Sequence, residues 1–211
     1  MRVFLIHGMG RTSASMALLG RRLRQAGHTT SSFGYLVSRQ SLDVIADAWV
    51  AHIERGLAER AEHGGSGDSP VEFAVVGHSL GNLITRKALP RLSGLTRFCM
   101  LAPPNHPPAM ARALERSLVF RALTRDAGNK LLDEDGFYEN LPVPTMKTLV
   151  IAGDGGPRFA RSPWKGAAND GVVSVDECKL DGAEFVVVDA IHTLIMNQRD
   201  VTGLVQRFLA P

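Results

Sequence analysis

An almost wholly apolar run, Val71–Val76, leads directly into a stretch with helical periodicity, Leu80–Leu92. Glu72 is the one charged residue of the run. A continuous apolar run is typical of a strand that is covered on both faces, as in a parallel sheet. The stretch that follows carries apolar residues at helical spacings, which predicts a helix packed on that sheet. A buried strand followed directly by a helix therefore favours a fold in which helices cover both faces of a parallel sheet.

Short apolar runs alternate with amphipathic stretches along most of the chain. Strands are predicted at Val3–Ile6, Thr29–Tyr35, Val71–Val76, Phe98–Leu101, Met146–Ala152 and Phe185–Val188. Helices are predicted between them, and Ser41 and Asn197 are expected to cap the second and the last. The alternation predicts an α/β fold with a mostly parallel sheet of about six strands and right-handed crossovers. In such sheets the ligand lies at the carboxyl ends of the strands.

The domain organisation follows from length and from the one gap in this alternation. A chain of 211 residues suits a single domain, 1–211, with one well-buried core. The segment Asn105–Val143 lies outside the alternation, and we expect a small helical, cap-like insertion there. Its many large apolar residues are expected either to line a pocket or to pack a crossover helix onto the sheet.

Composition argues against several classes of partner. The net charge is +3, but acidic and basic residues are interspersed without a long basic run, so no nucleic-acid partner is expected. No stretch approaches the ~20 apolar residues that span a bilayer, and the apolar run near the start is too short for a signal peptide. We therefore expect a cytoplasmic protein. No phosphate loop or metal-ligand cluster occurs in the sequence, so no cofactor is expected, while the oligomeric state stays open.

The junction between the third predicted strand and its helix reads Gly77-His78-Ser79-Leu80-Gly81. This is a G-x-S-x-G pattern in a strand–turn–helix context, where a sharp turn exposes the serine hydroxyl above the sheet. The two glycines are expected because a Cβ at either position would crowd the turn. Ser79 is therefore the candidate nucleophile, and the first N–H groups of the helix are available to a developing negative charge.

The same pentapeptide resembles the nucleophile elbow in the lipase and esterase branch of the α/β-hydrolases. The segment Phe4–Gly10, which reads Phe-Leu-Ile-His-Gly-Met-Gly, is similar to the oxyanion loop of that branch. The segment Leu101–Asn105 resembles a turn in small bacterial lipases and in serine esterases related to the GPI-inositol deacylases. The resemblance implies a minimal α/β-hydrolase fold without the two antiparallel strands that open the family's sheet.

The resemblance also implies an oxyanion hole made by two main-chain N–H groups. Leu80 N–H, next after the nucleophile, is one donor, and Met9 N–H is the other. Gly8 and Gly10 allow the loop to bend toward the site. His7 is expected to hold the loop by hydrogen bonds rather than to act as a base.

Seven histidines are present, but only His192 comes just past a late predicted strand. In an elbow of this kind the triad follows the chain order serine, acid, histidine, so His192 is predicted to take the proton from Ser79. Two of the acids that precede it are candidates for the third member of the triad, Asp154 and Asp170, because both lie in the loop after a predicted strand. The run 169–173, Asn-Asp-Gly-Val-Val, resembles the acid loop of the family, which favours Asp170 and keeps Asp154 as the alternative.

These residues together predict a hydrolase that cleaves carboxylic esters through an acyl-enzyme on Ser79. The expected substrate is a small-molecule or lipid-like acyl ester. A thioesterase or an acyltransferase would use the same residues with another leaving group or acceptor. A binding protein that lost turnover is the further alternative, and a serine-directed covalent probe distinguishes it from an enzyme.

Overall fold

A parallel β-sheet lies at the centre of the computed structural model, which describes residues 1–61, 71–118, 124, 126–133 and 136–210. Within these residues the strands are β1 (Arg2–Ile6), β2 (Thr29–Phe33), β3 (Phe73–His78), β4 (Leu95–Leu101), β5 (Lys147–Gly153) and β6 (Glu184–Val188). Their order across the sheet is β2-β1-β3-β4-β5-β6, and every neighbouring pair is parallel. Non-consecutive neighbours such as β1 and β3 require crossovers, which run through helices.

Helices cover both faces of the sheet. In the described part of the chain they are α1 (Ala17–Gln25), α2 (Leu42–Ala61), α3 (Leu80–Ala88), α4 (Ala109–Leu114), α5 (Asp126–Leu131) and α6 (Arg199–Leu209). Short 3₁₀ segments occupy Ser13–Met16, Leu89–Arg91 and His192–Asn197. None of the described helices is both long and apolar enough to cross a membrane.

The period of two along each strand divides the core into two layers. Phe4 of β1 lies in one hydrophobic cluster with Trp49 of α2 and with α3, whereas Leu5 lies in a second cluster with α1 and with Val205 of α6. All four residues of β1 from Val3 to Ile6 are fully buried. The central strands therefore bury both faces, as their continuous apolar runs predict, and the expected parallel sheet with helices on both faces is confirmed.

Element boundaries differ from the predictions by a few residues. The strand predicted at Val71–Val76 begins at Phe73 and continues through His78 into the elbow. Ser41 accepts a hydrogen bond from Val44 N–H at 3.4 Å, as expected of an N-cap. The cap predicted at Asn197 is wrong, because this residue ends a 3₁₀ segment and the extended residue Gln198 precedes α6 instead.

The predicted insertion, Asn105–Val143, contains the two short helices α4 and α5. Residues 119–123, 125, 134 and 135 of it lie outside the described residues. The loops that follow β1, β3, β5 and β6 all leave the carboxyl edge of the sheet, since the strands are parallel. That edge is where the candidate site residues meet.

Candidate active site

Ser79 lies in a strained turn between β3 and α3. Its backbone has φ 51° and ψ −125°, in a region that residues with a side chain rarely adopt. A Cβ added at Gly77 would collide with the Asn82 side chain, and one added at Gly81 would lie 2.6 Å from the His7 carbonyl oxygen. Both glycines are thus required by close approach, and the turn holds the Ser79 side chain at the edge of the sheet.

Three predicted residues come together in one hydrogen-bonded chain. His192 Nε2 lies 2.9 Å from Ser79 Oγ, and His192 Nδ1 lies 2.7 Å from Asp170 Oδ2. A carboxylate only accepts, so Nδ1 carries the hydrogen and Nε2 is left to accept from the serine hydroxyl. Asp170 and His192 are buried, so this chain of bonds is largely shielded from water.

The loop after β5 fixes the Asp170 carboxylate through its other oxygen. Oδ1 accepts hydrogen bonds from the N–H groups of Val172 at 2.9 Å and Val173 at 2.8 Å. The main-chain oxygen of Asp170 also accepts from His192 N–H at 2.9 Å. The local Asp-Gly-Val-Val turn therefore leaves Oδ2 free to accept from the imidazole.

The alternative acid, Asp154, does not reach the histidine. Its carboxylate pairs with Arg158 at 2.5 Å, and 29% of its side-chain surface is exposed. The structure brings Asp170 to His192. Asp154, which lies earlier in the loop after β5, is instead paired with Arg158 at the surface.

The loop after β1 packs directly on the serine turn. A Cβ at Gly8 would lie 2.8 Å from Ser79 Cβ, so this glycine permits the contact. Met9 and Leu80 both border the same cavity as Ser79. Among the described residues, no acceptor is found for the main-chain N–H of Met9 or of Leu80. Both expected oxyanion donors thus lie beside the serine with unused N–H groups.

His7 holds this loop in place. Its Nδ1 donates to Gly8 O at 2.8 Å, its Nε2 accepts from Tyr35 N–H at 3.3 Å, and its ring stacks on the Tyr35 ring. The Tyr35 hydroxyl returns a hydrogen bond to His7 O at 2.8 Å. Burial is the main cause that lowers the pKa of His7, and the neutral ring satisfies both of these contacts.

An apolar cavity of about 350 Å³ opens beside Ser79. Its walls come from the loop after β1, from the segment 105–143 and from the loop that carries Asp170, with Pro108, Ala111, Leu131 and Val173 among them. None of the described residues that line it is charged. Such a volume and lining suit an uncharged, apolar group of a small ligand.

Two polar residues that support the site were not singled out by the sequence. Arg86 of α3 is buried and donates to Asn105 Oδ1 at 3.2 Å, to Leu141 O at 3.1 Å and to Pro142 O at 3.1 Å. These acceptors lie at both ends of the predicted insertion. Burial lowers the pKa of Arg86 to about 10, which leaves the guanidinium charged at neutral pH.

Glu177 is the second of these supporting residues. Its Oε2 accepts from Ser174 N–H at 2.7 Å while Ser174 Oγ accepts from Glu177 N–H at 3.2 Å, the reciprocal pattern of a capping box. The other oxygen, Oε1, accepts from Ala109 N–H at 2.7 Å and so binds the start of α4. The spacing Ser-x-x-Glu was the available sequence signal for the first pair, whereas nothing local indicates the second.

The described residues contain no group of three or more His, Cys, Asp or Glu side chains that could hold a metal ion. The arrangement around Ser79 thus consists of a hydroxyl, an imidazole, a carboxylate and main-chain N–H groups. These groups can transfer a proton and stabilise an oxyanion.

Comparison with solved structures identifies the fold. The mature lipase BlEst2 of Bacillus licheniformis matches with a TM-score of 0.74 and 17% identity, over 100% of this chain and 92% of that one. An esterase from Exiguobacterium antarcticum matches with a TM-score of 0.65 and 13% identity, over 100% and 92%. A Bacillus megaterium epoxide hydrolase matches with a TM-score of 0.54 and 13% identity, over 99% and 93%.

No protein-family model and no curated protein sequence matches the chain. The structural matches nevertheless extend over the whole chain, and they confirm the α/β-hydrolase fold that the elbow and the oxyanion loop predict. At these identities the likeness concerns the fold, and the chemistry has to be argued from the site itself.

Proposed function

We propose that this protein is a carboxylic ester hydrolase that forms an acyl-enzyme on Ser79. The observation that carries the proposal is the continuous chain of hydrogen bonds from Asp170 through His192 to Ser79, at 2.7 and 2.9 Å. In it the serine hydroxyl donates to an imidazole nitrogen whose tautomer is set by a buried carboxylate. That is the arrangement required to activate a serine for acyl transfer.

The proposed reaction has two steps with the same proton carrier. Ser79 Oγ attacks the ester carbonyl carbon as its proton moves to His192 Nε2, and the N–H groups of Met9 and Leu80 donate to the oxyanion. The attack forms a tetrahedral intermediate. Its collapse breaks the bond between the carbonyl carbon and the alcohol oxygen, and the alcohol leaves with the proton from His192. Water then attacks the acyl-enzyme in the same way and releases the acid, restoring Ser79.

The apolar cavity supports an acyl ester with an uncharged acyl chain as substrate. Its described lining offers van der Waals contact to an alkyl group and no partner for a charge, so a carboxylate among these residues would lose its hydration without compensation. We therefore assign the acyl chain to the cavity and the alcohol to the opposite, His192 side of the carbonyl.

A fluorophosphonate probe, which forms a covalent bond to an activated serine, tests the proposal. We expect the wild type to be labelled and Ser79→Ala to be inert, while Ser93→Ala, at an exposed serine, is labelled like the wild type. Absence of labelling in the wild type would instead support a binding protein without turnover. Parallel assays with p-nitrophenyl esters and acyl-thioesters then separate an esterase from a thioesterase.

A further inference from the structure

His78, the residue before the nucleophile, lies against His192. The two ring centroids are 4.9 Å apart, and His78 Nε2 lies 3.0 Å from the main-chain oxygen of His192. Because a carbonyl oxygen only accepts, Nε2 carries the hydrogen and donates it. His78 is 1% exposed, so this hydrogen bond is shielded from water.

The second nitrogen of His78 stays without a hydrogen. Nδ1 is buried and makes no hydrogen bond to any described residue, and Gly8 packs so closely that a Cβ there would lie 2.8 Å away. A hydrogen on Nδ1 would be a buried donor without an acceptor, next to a second imidazole. Burial, followed by the nearby His192, lowers the pKa of His78, and Arg11 and His7 act in the same direction, whereas the hydrogen bond to His192 O acts against them.

The main chain of His192 makes two hydrogen bonds, one through its carbonyl oxygen and one through its N–H group. His192 N–H donates to Asp170 O at 2.9 Å, and His192 O accepts from His78. The exposed residues Ile191 and Leu194 flank His192 at more than 40% exposure, whereas Ala190 and Ile195 anchor the ends of this loop in the core. The main chain of His192 is thus held from the acid loop on one side and from the nucleophile turn on the other.

We propose that His78 is a positioning residue: its Nε2–H fixes the main chain of His192 so that the imidazole meets Ser79 and Asp170 together. The role rests on the proposed function, because it concerns the base of that reaction. Because His78 and Ser79 are adjacent at the end of β3, this hydrogen bond links the position of His192 to that of Ser79. As a neutral donor, His78 adds no charge beside His192 when the latter carries the transferred proton.

The test compares two substitutions that differ in the donor. His78→Gln keeps a side-chain N–H at similar reach, whereas His78→Leu keeps bulk and removes the donor. We expect His78→Leu to lower kcat by about 10- to 100-fold with KM within about twofold, because a small displacement of a catalytic group costs this much. His78→Gln should recover most of kcat. Equal losses in both variants, or an unchanged kcat in His78→Leu, would overturn the proposal.

A measurement on the unsubstituted protein needs neither turnover nor a folded variant. Nitrogen NMR of the ring of His78 at pH 8 should show a protonated Nε2 and a bare Nδ1. The opposite tautomer, with a bare Nε2, would contradict the proposed hydrogen bond, because such a ring cannot donate to His192 O. If the NMR result holds but no ester is cleaved, then the proposed function fails and the hydrogen bond to His192 stands.

Discussion

The two oxygens of the Asp170 carboxylate have different partners. Oδ1 accepts from two main-chain N–H groups, and Oδ2 accepts from His192 Nδ1–H. The main-chain donors determine which oxygen can face the imidazole. A substitution that replaces only Oδ2 with another group therefore acts on His192 without displacing the loop.

Asp170→Asn is expected to remove nearly all turnover. The amide oxygen would stay with the N–H groups of Val172 and Val173, so the amide NH₂ would face His192 Nδ1. That donor favours the tautomer with hydrogen on Nε2, which cannot accept the proton of Ser79. We expect kcat to fall by about 10⁴-fold, as in the serine protease where this change was made.

The matched control for this prediction is Asp154→Asn. Asp154 pairs with the partly exposed Arg158, and surface pairs of this kind contribute about 1 kcal/mol or less. Its kcat should remain within about twofold of the wild type, since Asp154 lacks contact with the imidazole. Steady-state kinetics on one p-nitrophenyl ester compares the two variants, and a larger loss in Asp154→Asn would reverse the assignment of the acid.

At the scale of elements, polar side chains connect the insertion to the rest of the fold. Glu177 binds the N-terminus of α4, and Arg86 of α3 binds the two ends of the insertion. Both residues reach their partners with charged groups inside the structure, where such hydrogen bonds are strong. The cavity wall that α4 supplies is therefore fixed to the elements that carry Ser79 and Asp170.

Arg86→Met should destabilise the fold strongly. It would leave the acceptors of Asn105, Leu141 and Pro142 without their donor, and each buried polar group that loses its partner costs about 1–3 kcal/mol. Urea unfolding measures this free energy. Arg91→Met is the control, because Arg91 pairs with Asp47 on the exposed surface and its loss should cost about 1 kcal/mol or less. Equal costs would show that the Arg86 contacts add no stability.

The α4 helix also offers a test of the acyl cavity. Ala111 is buried and lines the cavity, whereas Ala113 of the same helix is exposed. Each buried CH₂ contributes about 0.8 kcal/mol, so kcat/KM of p-nitrophenyl esters should rise about fourfold per carbon until the chain fills the space. In Ala111→Leu the preferred chain should be shorter, with the acetyl ester unaffected. Ala113→Leu should keep the wild-type preference, and identical profiles in all three proteins would place the acyl chain elsewhere.

At the scale of the whole molecule, local patterns account for the fold and for the central residues of the site. Strand β3 and the turn at Ser79 could be predicted from the sequence, because burial of a strand and a tight turn each restrict the types of neighbouring residues. No local sequence pattern indicates the contacts that Arg86 and His78 make with distant segments. Arg86 and Leu141 are 55 residues apart, and His78 and His192 are 114 apart. Their pairing depends on which loops meet at the carboxyl edge, which spacing alone does not determine.

The stability of the whole molecule should respond to pH through His78. Its pKa in the folded protein lies well below the ordinary value near 6.5, mainly because of burial, so below that value the unfolded chain binds a proton that the folded protein does not. The free energy of unfolding then falls as the pH falls, by about 1.4 kcal/mol per pH unit for this one group, down to its pKa in the folded state.

His78→Gln removes this contribution, because glutamine does not titrate. Urea unfolding at pH 7, 6 and 5 should therefore give the variant a shallower loss of stability on acidification than the wild type, by up to about 1.4 kcal/mol per pH unit between 6.5 and the pKa of His78 in the folded protein. Above pH 7 the difference between the two proteins should be constant, since neither the folded nor the unfolded state then binds the proton. Parallel curves from pH 7 to pH 5 would mean that His78 takes up its proton in the folded protein as readily as in the unfolded chain. The hydrogen bond from Nε2 would persist in such a ring, but its charge would lie beside His192 when that residue carries the transferred proton.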